Sequence, residues 1–458
     1  MRALREIAPS TGITSFDPMP HTINPSPIRP AIRAKILPTK PVKLIRICGI
    51  VLVMATISAR AATDSVEKIA DEPTCAQALA WIDKNTKWVT DQQIALSEIP
   101  APEFGEAKRG ESLQKLFESF GLKVHTDKVG NVIGERPGAD ANSVILLAAH
   151  LDTVFPADTD VRVKKNGNRL IGPGIADNGA GLGALVAVAR ALAEGRVRTN
   201  KTIVFAGDVG EEGEGNLRGI RALVEAYGSR LGAVIAVDGA STEHITTQGI
   251  ASHRFEVTIT GPGGHSWSDF GAPNPITALS RGIVKFSSLR VPEDPRSSYN
   301  FGVIEGGTSV NSIPARAIVK VDLRSEDEAE VAKMEAALRE AMQAGIKEEM
   351  AGARDASVAL QLTSRSLGLR PAGKLRENSP LLDSVRSVDR FLGTRSRLER
   401  SSTDANIPLS LGIPAISIGG GGKANGSHTL DEWYDPTGRE LGLKRLFLTT
   451  VTLAGLQP

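Results

Sequence analysis

The sequence predicts an α/β fold in which a mostly parallel sheet flanked by helices is interrupted by a smaller α+β insert. Apolar runs of strand length alternate with stretches of helical periodicity over residues 62–249, which is typical of a parallel sheet covered on both faces. Over residues 250–366 the order becomes β-α-β-β-α-β, that of a ferredoxin-like insert. The α/β pattern returns over residues 367–458, so we expect the first domain to be completed after the insert.

The elements of the first domain follow from periodicity and from helix-stop signals. One helical stripe predicts a single helix over residues 76–96, which prolines 100 and 102 then stop. The other elements before residue 250 are helices over 110–120, 178–193 and 217–231 and strands over 122–126, 131–134, 143–150, 201–208 and 232–237.

The insert and the last part of the chain are read in the same way. The insert is predicted to contain strands over 253–260, 299–305, 315–323 and 357–363 and helices over 275–289 and 326–350. On the long helix Val331, Met334 and Leu338 share one stripe, which indicates core packing. The chain then continues with a helix over 379–391, a strand over 413–418 and a helix over 437–453.

The first 61 residues have the composition of a leader. Lys43 and Arg46 precede the apolar residues 47–57 and the small-residue site at 59–61, which is the order of a signal peptide. The apolar core is too short to span a bilayer, which takes about 20 residues. We expect export to the periplasm or the medium and no stable membrane span after processing, with an uncleaved N-terminal anchor as the alternative.

Charge and cysteine content exclude several classes of function. Of 54 Lys/Arg and 52 Asp/Glu, nine and two fall in the leader, so the rest of the chain has a net charge of about −5. That balance does not favour a nucleic-acid partner. Outside the leader Cys75 is the only cysteine, which excludes an internal disulfide there and a zinc site built from paired thiolates.

Acidic and histidine side chains follow three of the predicted strands at the point where each strand ends. The carboxyl ends of parallel strands meet at one edge of a sheet, where ligands bind, so we expect these side chains to lie close together. A loop over residues 172–181 presents one more carboxylate before the helix that follows. The side chains concerned are His150, Asp152, Asp177, Glu211, Glu212 and Asp238, and a late histidine, His428, adds a further ligand type.

This set of nitrogen and oxygen donors suits zinc, cobalt or manganese and not thiolate chemistry. Crowded carboxylates repel one another, and a pair of divalent cations would remove that cost. Two metals about 3.5 to 4 Å apart polarise a carbonyl and lower the pKa of a bridging water. The pair Glu211 and Glu212 can divide the remaining work, with one carboxylate on a metal and its neighbour acting as general base.

In these motifs and in their order the sequence resembles the M20 family of co-catalytic metallopeptidases, over nearly all of the chain after the leader. The resemblance implies a di-zinc phosphorylase/hydrolase-like catalytic domain, with cobalt or manganese as alternatives to zinc. It also implies that Asp177 bridges the two metals, that His150 and Asp238 complete one of them, and that Glu212 and His428 complete the other.

The resemblance assigns further roles around the metals. Glu211 would be the general base, and Asp152 would orient a histidine ligand. The insert resembles the family's lid and dimerisation domain, so we expect a homodimer through the lid. There His265 would stabilise the oxyanion across the dimer interface, Asn311 would contact substrate, and Arg324 would hold a substrate carboxylate.

The predicted function is hydrolysis of amide bonds in short peptides. In the family an aspartate at the position of Asp238 is more usual in aminopeptidases and dipeptidases, which favours substrates with a free amino end. The alternatives are an N-acyl-amino-acid deacylase or carboxypeptidase on the same metals, and, from another class, a non-hydrolytic peptide-binding protein. The loop over residues 172–181 lacks the G-x-G-x-x-G spacing of a dinucleotide site.

Overall fold

The structure is a computed structural model that describes residues 65–355 and 357–457. The leader and signal peptide predicted over residues 1–61 lie outside the described residues, so they remain predictions. Within the described part of the chain, no helix is both long and apolar enough to cross a membrane.

The helices are α1 (65–71), α2 (Pro73–Lys84), α3 (Thr86–Ser97), α4 (Ala107–Ser119), α5 (Gly179–Glu194), α6 (Arg218–Tyr227), α7 (Pro275–Ser287), α8 (Glu328–Gly352), α9 (Pro380–Leu392), α10 (Asn406–Ser410) and α11 (Arg439–Ala454). The strands up to residue 260 are β1 (Lys123–Thr126), β2 (Val132–Arg136), β3 (Asp140–His150), β4 (Lys164–Asn166), β5 (Arg169–Ile171), β6 (Lys201–Asp208), β7 (Leu231–Val237), β8 (His244–Gly249) and β9 (Ala251–Thr260). The later strands are β10 (Gly264–His265), β11 (Ser297–Gly306), β12 (Ser312–Ile313), β13 (Arg316–Ser325), β14 (Gln361–Arg370), β15 (Gly373–Lys374), β16 (Arg397–Ser401), β17 (Ala415–Ile418), β18 (Lys423–Asn425) and β19 (Trp433–Asp435).

Parallel strands occupy the centre of the large, nine-stranded sheet. Its order is β1-β2-β6-β3-β7-β17-β8-β15, with β16 paired to β8. Strands β6, β3, β7 and β17 run parallel, whereas β1, β2 and β15 pair antiparallel with their neighbours. Residues 144–149 of β3 are buried, as expected of a strand covered on both faces. The predicted mostly parallel α/β fold is confirmed, and the carboxyl ends of β3, β6 and β7 meet at one edge.

Helix α5 begins against the carboxyl end of β7. The side chain of Asn178 accepts a hydrogen bond from Gly181 N at 3.1 Å and donates one to Val237 O at 2.9 Å. A Cβ added to Gly181 would lie 2.2 Å from Val237 O, so only glycine allows this approach. The contact holds the loop that precedes α5 beside the edge of the large sheet.

The segment with the predicted β-α-β-β-α-β order forms a separate antiparallel sheet in the order β11-β13-β9-β14. Helices α7 and α8 pack on one face of this sheet around a hydrophobic cluster of its own. The predicted stripe of Val331, Met334 and Leu338 is buried in that cluster, which confirms its role in core packing. Because side chains alternate along a strand, Ser252 and Arg254 of β9 point to the opposite face, here called the polar face.

The prediction of one helix over residues 76–96 is wrong, because the chain forms α2 and α3 with a break at Asn85. Asn85 leaves helical geometry, with φ −118° and ψ 18°, and its side-chain amide donates to Trp81 O at 2.7 Å. An asparagine side chain that competes for the helix backbone in this way ends a helix, whatever the apolar stripe continues to suggest.

The last strand of the insert was predicted too early, over residues 357–363. Strand β14 runs from Gln361 to Arg370 and pairs with β9 along its whole length, from Gln361 opposite Thr260 to Arg370 opposite Ser252. The pairing partner, which is distant in sequence, determines these bounds, because the alternation within 361–370 is weak. The strand therefore continues across the boundary predicted between residues 366 and 367.

Candidate metal centre and active site

The site begins where β3 ends, at His150. This side chain is 1% exposed, and its Nδ1 lies 3.1 Å from the backbone oxygen of Asp152. A carbonyl oxygen only accepts hydrogen bonds, so Nδ1 carries a proton, and Nε2 is the nitrogen that is left to bind a metal. His150 Nε2 is buried and has no hydrogen-bond partner among the described residues. A buried nitrogen in that state suits a metal ligand.

Carboxylates from two other segments converge on His150 Nε2. Asp177 Oδ1 lies 3.2 Å away and Asp238 Oδ1 lies 3.9 Å away. One ligand atom from each of His150, Asp177 and Glu212 can be chosen such that all three lie within 4.8 Å of one another. The structure thus brings together in space the end of β3, the loop before α5 and the loop after β6, as the strand-end pattern predicts.

His428, which lies far along the chain, reaches the same carboxylates. Its Nε2 lies 2.9 Å from Glu212 Oε1 and 3.3 Å from Asp177 Oδ2. Its backbone is left-handed, with φ 66°, a conformation that non-glycine residues rarely adopt and that is enriched at functional sites. Asp177 therefore lies between two histidines, which is the placement expected of a residue that bridges two metals.

The electrostatics of the cluster favour positive charge. Burial acts to lower the pKa of His150, but its contacts with Asp152, Asp177 and Asp238 raise it well above the usual value. Side-chain contacts with Asp177 and Glu212 raise the pKa of His428 to about 10. In the protein alone, protons on these imidazoles supply the charge that the carboxylates attract. The donor set therefore fits divalent cations, which would take the place of those protons.

Asp152 holds the loop that carries the two glutamates. Its carboxylate is buried and accepts hydrogen bonds from Glu211 N at 3.1 Å and from Glu212 N at 2.8 Å. The same carboxylate lies 3.7 Å from Nδ1 of His150, further away than the backbone oxygen of Asp152. Asp152 thus positions the glutamate pair through its side chain and contacts the histidine chiefly through its backbone.

Glu432 holds the loop that carries Asp177, and no sequence motif marked it. Its buried carboxylate accepts hydrogen bonds from the backbone nitrogens of Gly174, Ala176 and Asp177 at 2.7 to 3.0 Å. Burial raises the pKa of Glu432 to about 7, against the effect of these hydrogen bonds. The only sequence feature that could have marked Glu432 is that it is an acidic residue shortly after His428.

Glu211 lies beside the cluster and is paired with an arginine that the sequence did not mark. Arg370 Nη1 donates to Glu211 Oε1 at 3.0 Å, and Nη2 donates to the backbone oxygen of Glu211. Burial raises the pKa of Glu211 well above its usual value, although the guanidinium counteracts this. No sequence motif marked Arg370, which is the last residue of β14 and is buried in the site.

A cavity of about 960 Å³ connects the metal cluster to the antiparallel sheet. Of the predicted site residues Asp177, Glu211, Glu212, Asp238, His428 and Arg324 line it, together with Arg254 and Arg370. His265 and Asn311 do not line it. They lie in and beside the two-stranded sheet formed by β10 and β12, where both side chains are exposed.

Two further buried carboxyl groups lie near His150 and were not predicted as part of the site. Asp208 ends β6, and Asp208 and Asp404 are both buried, with oxygens that have no hydrogen-bond partner among the described residues. Burial raises the pKa of Asp208 to about 7, and burial together with the charge of Asp208 raises the pKa of Asp404 well above its usual value. Two such groups without a cation share one proton in preference to ionising together.

Comparison with known proteins gives a consistent family assignment. Residues 146–447 match the model of the peptidase family M20/M25/M40. The chain is 25% identical to a protein described as a succinyl-diaminopimelate desuccinylase from Mycobacterium tuberculosis, over 74% of this chain and 91% of that protein. It is 38% identical to a LysW-lysine/LysW-ornithine hydrolase from Pyrococcus abyssi over 28% of this chain, and so spans about a third (34%) of that protein's length.

A solved structure shows the same fold. A tripeptidase from Staphylococcus aureus superposes with a TM-score of 0.66 over 81% of this chain and 99% of its own, at 19% identity. At that identity the likeness concerns the fold alone.

Proposed function

Because the chain belongs to peptidase family M20/M25/M40, we propose that this metallohydrolase cleaves amide bonds in short peptides at a two-metal centre. The observation that carries the proposal is the convergence of His150, Asp177 and Glu212, with Glu211 beside them and lining the same cavity. Binding a peptide would not require a carboxylate at the position of Glu211, whereas activating water does.

Five side chains would hold the metals: His150, Asp177, Glu212, Asp238 and His428. When bound, two divalent cations, with zinc expected and cobalt or manganese as alternatives, would polarise the substrate carbonyl and acidify water. Glu211 accepts a proton from the attacking water and delivers it to the leaving amine.

His265 and Asn311 would act on the substrate from a second copy of the chain. Both side chains are exposed and neither lines the cavity of its own chain, so a homodimer through the lid-like region is the arrangement that would use them. We also propose that the protein is exported, which the leader pattern in residues 1–61 supports.

Asp238 and the matched relatives bear on the substrate class. Asp238 lines the cavity and favours, by the family resemblance, an aminopeptidase or dipeptidase acting on peptides with a free amino end. A second candidate is an N-acyl-amino-acid deacylase, which is favoured by the relative described as a desuccinylase, since the chain matches 91% of that protein's length.

The test is cleavage of matched di- and tripeptides, each free and N-acetylated, followed by mass spectrometry with protein loaded with zinc, cobalt or manganese. Cleavage confined to the free-amine peptides is expected. A preference for the acetylated set would move the protein to the deacylases. Tight binding of peptides without cleavage of either set would contradict the hydrolase and favour a peptide-binding protein.

A further inference from the structure

A serine, a histidine and a glutamate form a hydrogen-bonded chain on the helix-covered face of the antiparallel sheet. His253 of β9 points to this face, opposite to Ser252 and Arg254, because side chains alternate along a strand. Its Nε2 lies 2.9 Å from Oγ of Ser366 on β14, and its Nδ1 lies 3.2 Å from Oε2 of Glu335 on α8. None of the three side chains lines the cavity that contains the metal cluster.

The two hydrogen bonds determine the tautomer of His253. A carboxylate only accepts hydrogen bonds, so Nδ1 carries the proton and donates it to Glu335. In the neutral imidazole Nε2 then accepts a hydrogen bond from the hydroxyl of Ser366. Burial lowers the pKa of His253 below its ordinary value, although Glu335 acts in the opposite direction. The imidazole is therefore neutral near pH 7, which is the state that a general base requires.

The serine is accessible, whereas the imidazole is held in place. Ser366 is exposed, and the side chain of His253 is 16% exposed. The imidazole also packs against Phe255, with the two ring centroids 3.8 Å apart. A reachable hydroxyl, hydrogen-bonded to a base that a third group orients, is the arrangement by which serine catalysis is recognised on unrelated folds.

The surface beside this chain of contacts favours a short, uncharged acyl group. An apolar depression of about 30 Å³ lies between α8 and the sheet, and Glu335 forms part of its wall. Its apolar lining comes from Phe255, Val257, Leu338, Met342 and Leu362. The small volume limits the group that it could accept to a short chain.

The position of Ser366 on an edge strand supplies hydrogen-bond donors. Strand β14 is the last strand of the order β11-β13-β9-β14, so β9 is its only neighbour among the described strands of that sheet. Alternate backbone N–H groups of an edge strand have no partner within the sheet. Such groups next to Ser366 are the kind of donor that stabilises the oxyanion of an acyl transfer.

We propose that Ser366, His253 and Glu335 form a second hydrolytic site, which cleaves esters of short, uncharged acyl groups without a metal. Oγ of Ser366 attacks the acyl carbon and its proton passes to Nε2 of His253. The bond from the acyl carbon to the alcohol oxygen breaks, and the departing alkoxide takes that proton. Water then attacks the acyl-serine and gives a proton to Nε2, which returns it to Oγ as the carboxylic acid leaves.

The test uses the full chain after chelator treatment, so that the proposed metal centre and its peptide hydrolysis do not contribute. With p-nitrophenyl acetate, p-nitrophenolate should appear in an initial burst, and mass spectrometry after acid quenching should find an acetyl group on Ser366. Ser366→Ala and His253→Gln should each lower the rate at least about 10-fold. The double variant should lower it no further, because the two residues act as a unit.

Thr363→Val is the matched control, because Thr363 is an exposed hydroxyl residue of β14 on the opposite face of the sheet. It should keep the rate of the unaltered protein. Absence of an acetyl group on Ser366, or an unchanged rate in Ser366→Ala, would overturn the proposal. Ester hydrolysis that requires added metal would assign the activity to the metal centre and overturn it as well.

Discussion

The carboxyl edge of the large sheet and the polar face of the antiparallel sheet form opposite sides of one cavity and carry opposite charge. The first presents Asp177, Glu212 and Asp238, whereas the second presents Arg254, Arg324 and Arg370. The acidic side requires cations to relieve its repulsion, whereas on the basic side the buried Arg370 Nε has no acceptor in the described part of the chain. The contrast supports the proposal that divalent cations complete the acidic side of the cavity.

One loop joins the two sides. Glu211 and Glu212 follow β6 and belong to the acidic side, and Gly213 accepts a hydrogen bond from Arg254 through its backbone oxygen. Glu214 pairs with Lys320 of β13 at 2.6 Å. The loop that carries the general base is thus held on both sides. Asp152 accepts a hydrogen bond from the backbone nitrogen of Glu211, and Arg254 and Arg370 donate to backbone oxygens of the loop.

The largest expected effect comes from removing the base on the acidic side. Glu211→Gln should lower kcat about 10²- to 10⁴-fold, because an amide cannot accept the proton of the attacking water. Metal content should not change, since Glu211 is not among the proposed ligands. Steady-state kinetics and metal analysis of the same preparation check both statements.

Glu214→Gln is the control for this change, because it removes a carboxylate from the same loop that pairs only with Lys320. It should leave kcat close to that of the unaltered protein. Full turnover by Glu211→Gln would contradict the role assigned to the base.

A smaller effect is expected on the basic side. Asp322 contacts both Arg254 and Arg324, so Asp322→Asn should let the exposed arginine move and raise KM for carboxylate substrates roughly 3- to 10-fold. The kcat should change little, because Asp322 does not contact the metal ligands. Glu256→Gln on the same face serves as the comparison. A fall in kcat with KM unchanged would argue against a role in holding Arg324.

The smallest effect concerns stability and pH. The pKa of Asp208 is raised to about 7 in the fold, so the native state keeps a proton that the unfolded chain releases near pH 4. The free energy of unfolding should therefore fall as pH rises from about 4 through about 7. In Asp404→Asn the new amide can donate to Asp208 and lower its pKa, which removes part of that fall.

Denaturant unfolding of metal-free protein at pH 5 to 8 measures this difference. The stability of Asp404→Asn relative to the unaltered protein should improve with pH, by up to about 1 kcal/mol per pH unit. A relative stability that does not change with pH would show that the two acids do not share a proton.

The acidic side could be predicted from the sequence because each of its residues follows a recognisable local signal. His150 ends its strand, Asp238 directly follows one and Glu211 follows another after two residues. Parallel strands bring these ends together without further information. The mostly parallel sheet and the β-α-β-β-α-β order were predictable because the periodicity that distinguishes strands from helices is also a local signal. The supporting role of Glu432 was not, because it acts through backbone nitrogens of a loop that is distant in sequence.

The basic side could not be predicted in the same way. Arg324 was found through a family motif, but Ser252 and Arg370 become its neighbours only through the register of β9 with β13 and β14. That register depends on pairing between distant segments, and the predicted last strand ended before residue 370. Arg370 therefore fell outside the predicted strands, and no local signal indicated its contact with Glu211.

The central claim is that the acidic side holds two catalytic metals, and metal stoichiometry measured together with activity tests it most directly. Chelator-treated protein should be inactive, and titration with zinc should restore peptide hydrolysis as about two ions bind per chain. His150→Ala should bind less metal and remain inactive. Full hydrolysis by metal-free protein, or the absence of bound metal in an active preparation, would contradict the account.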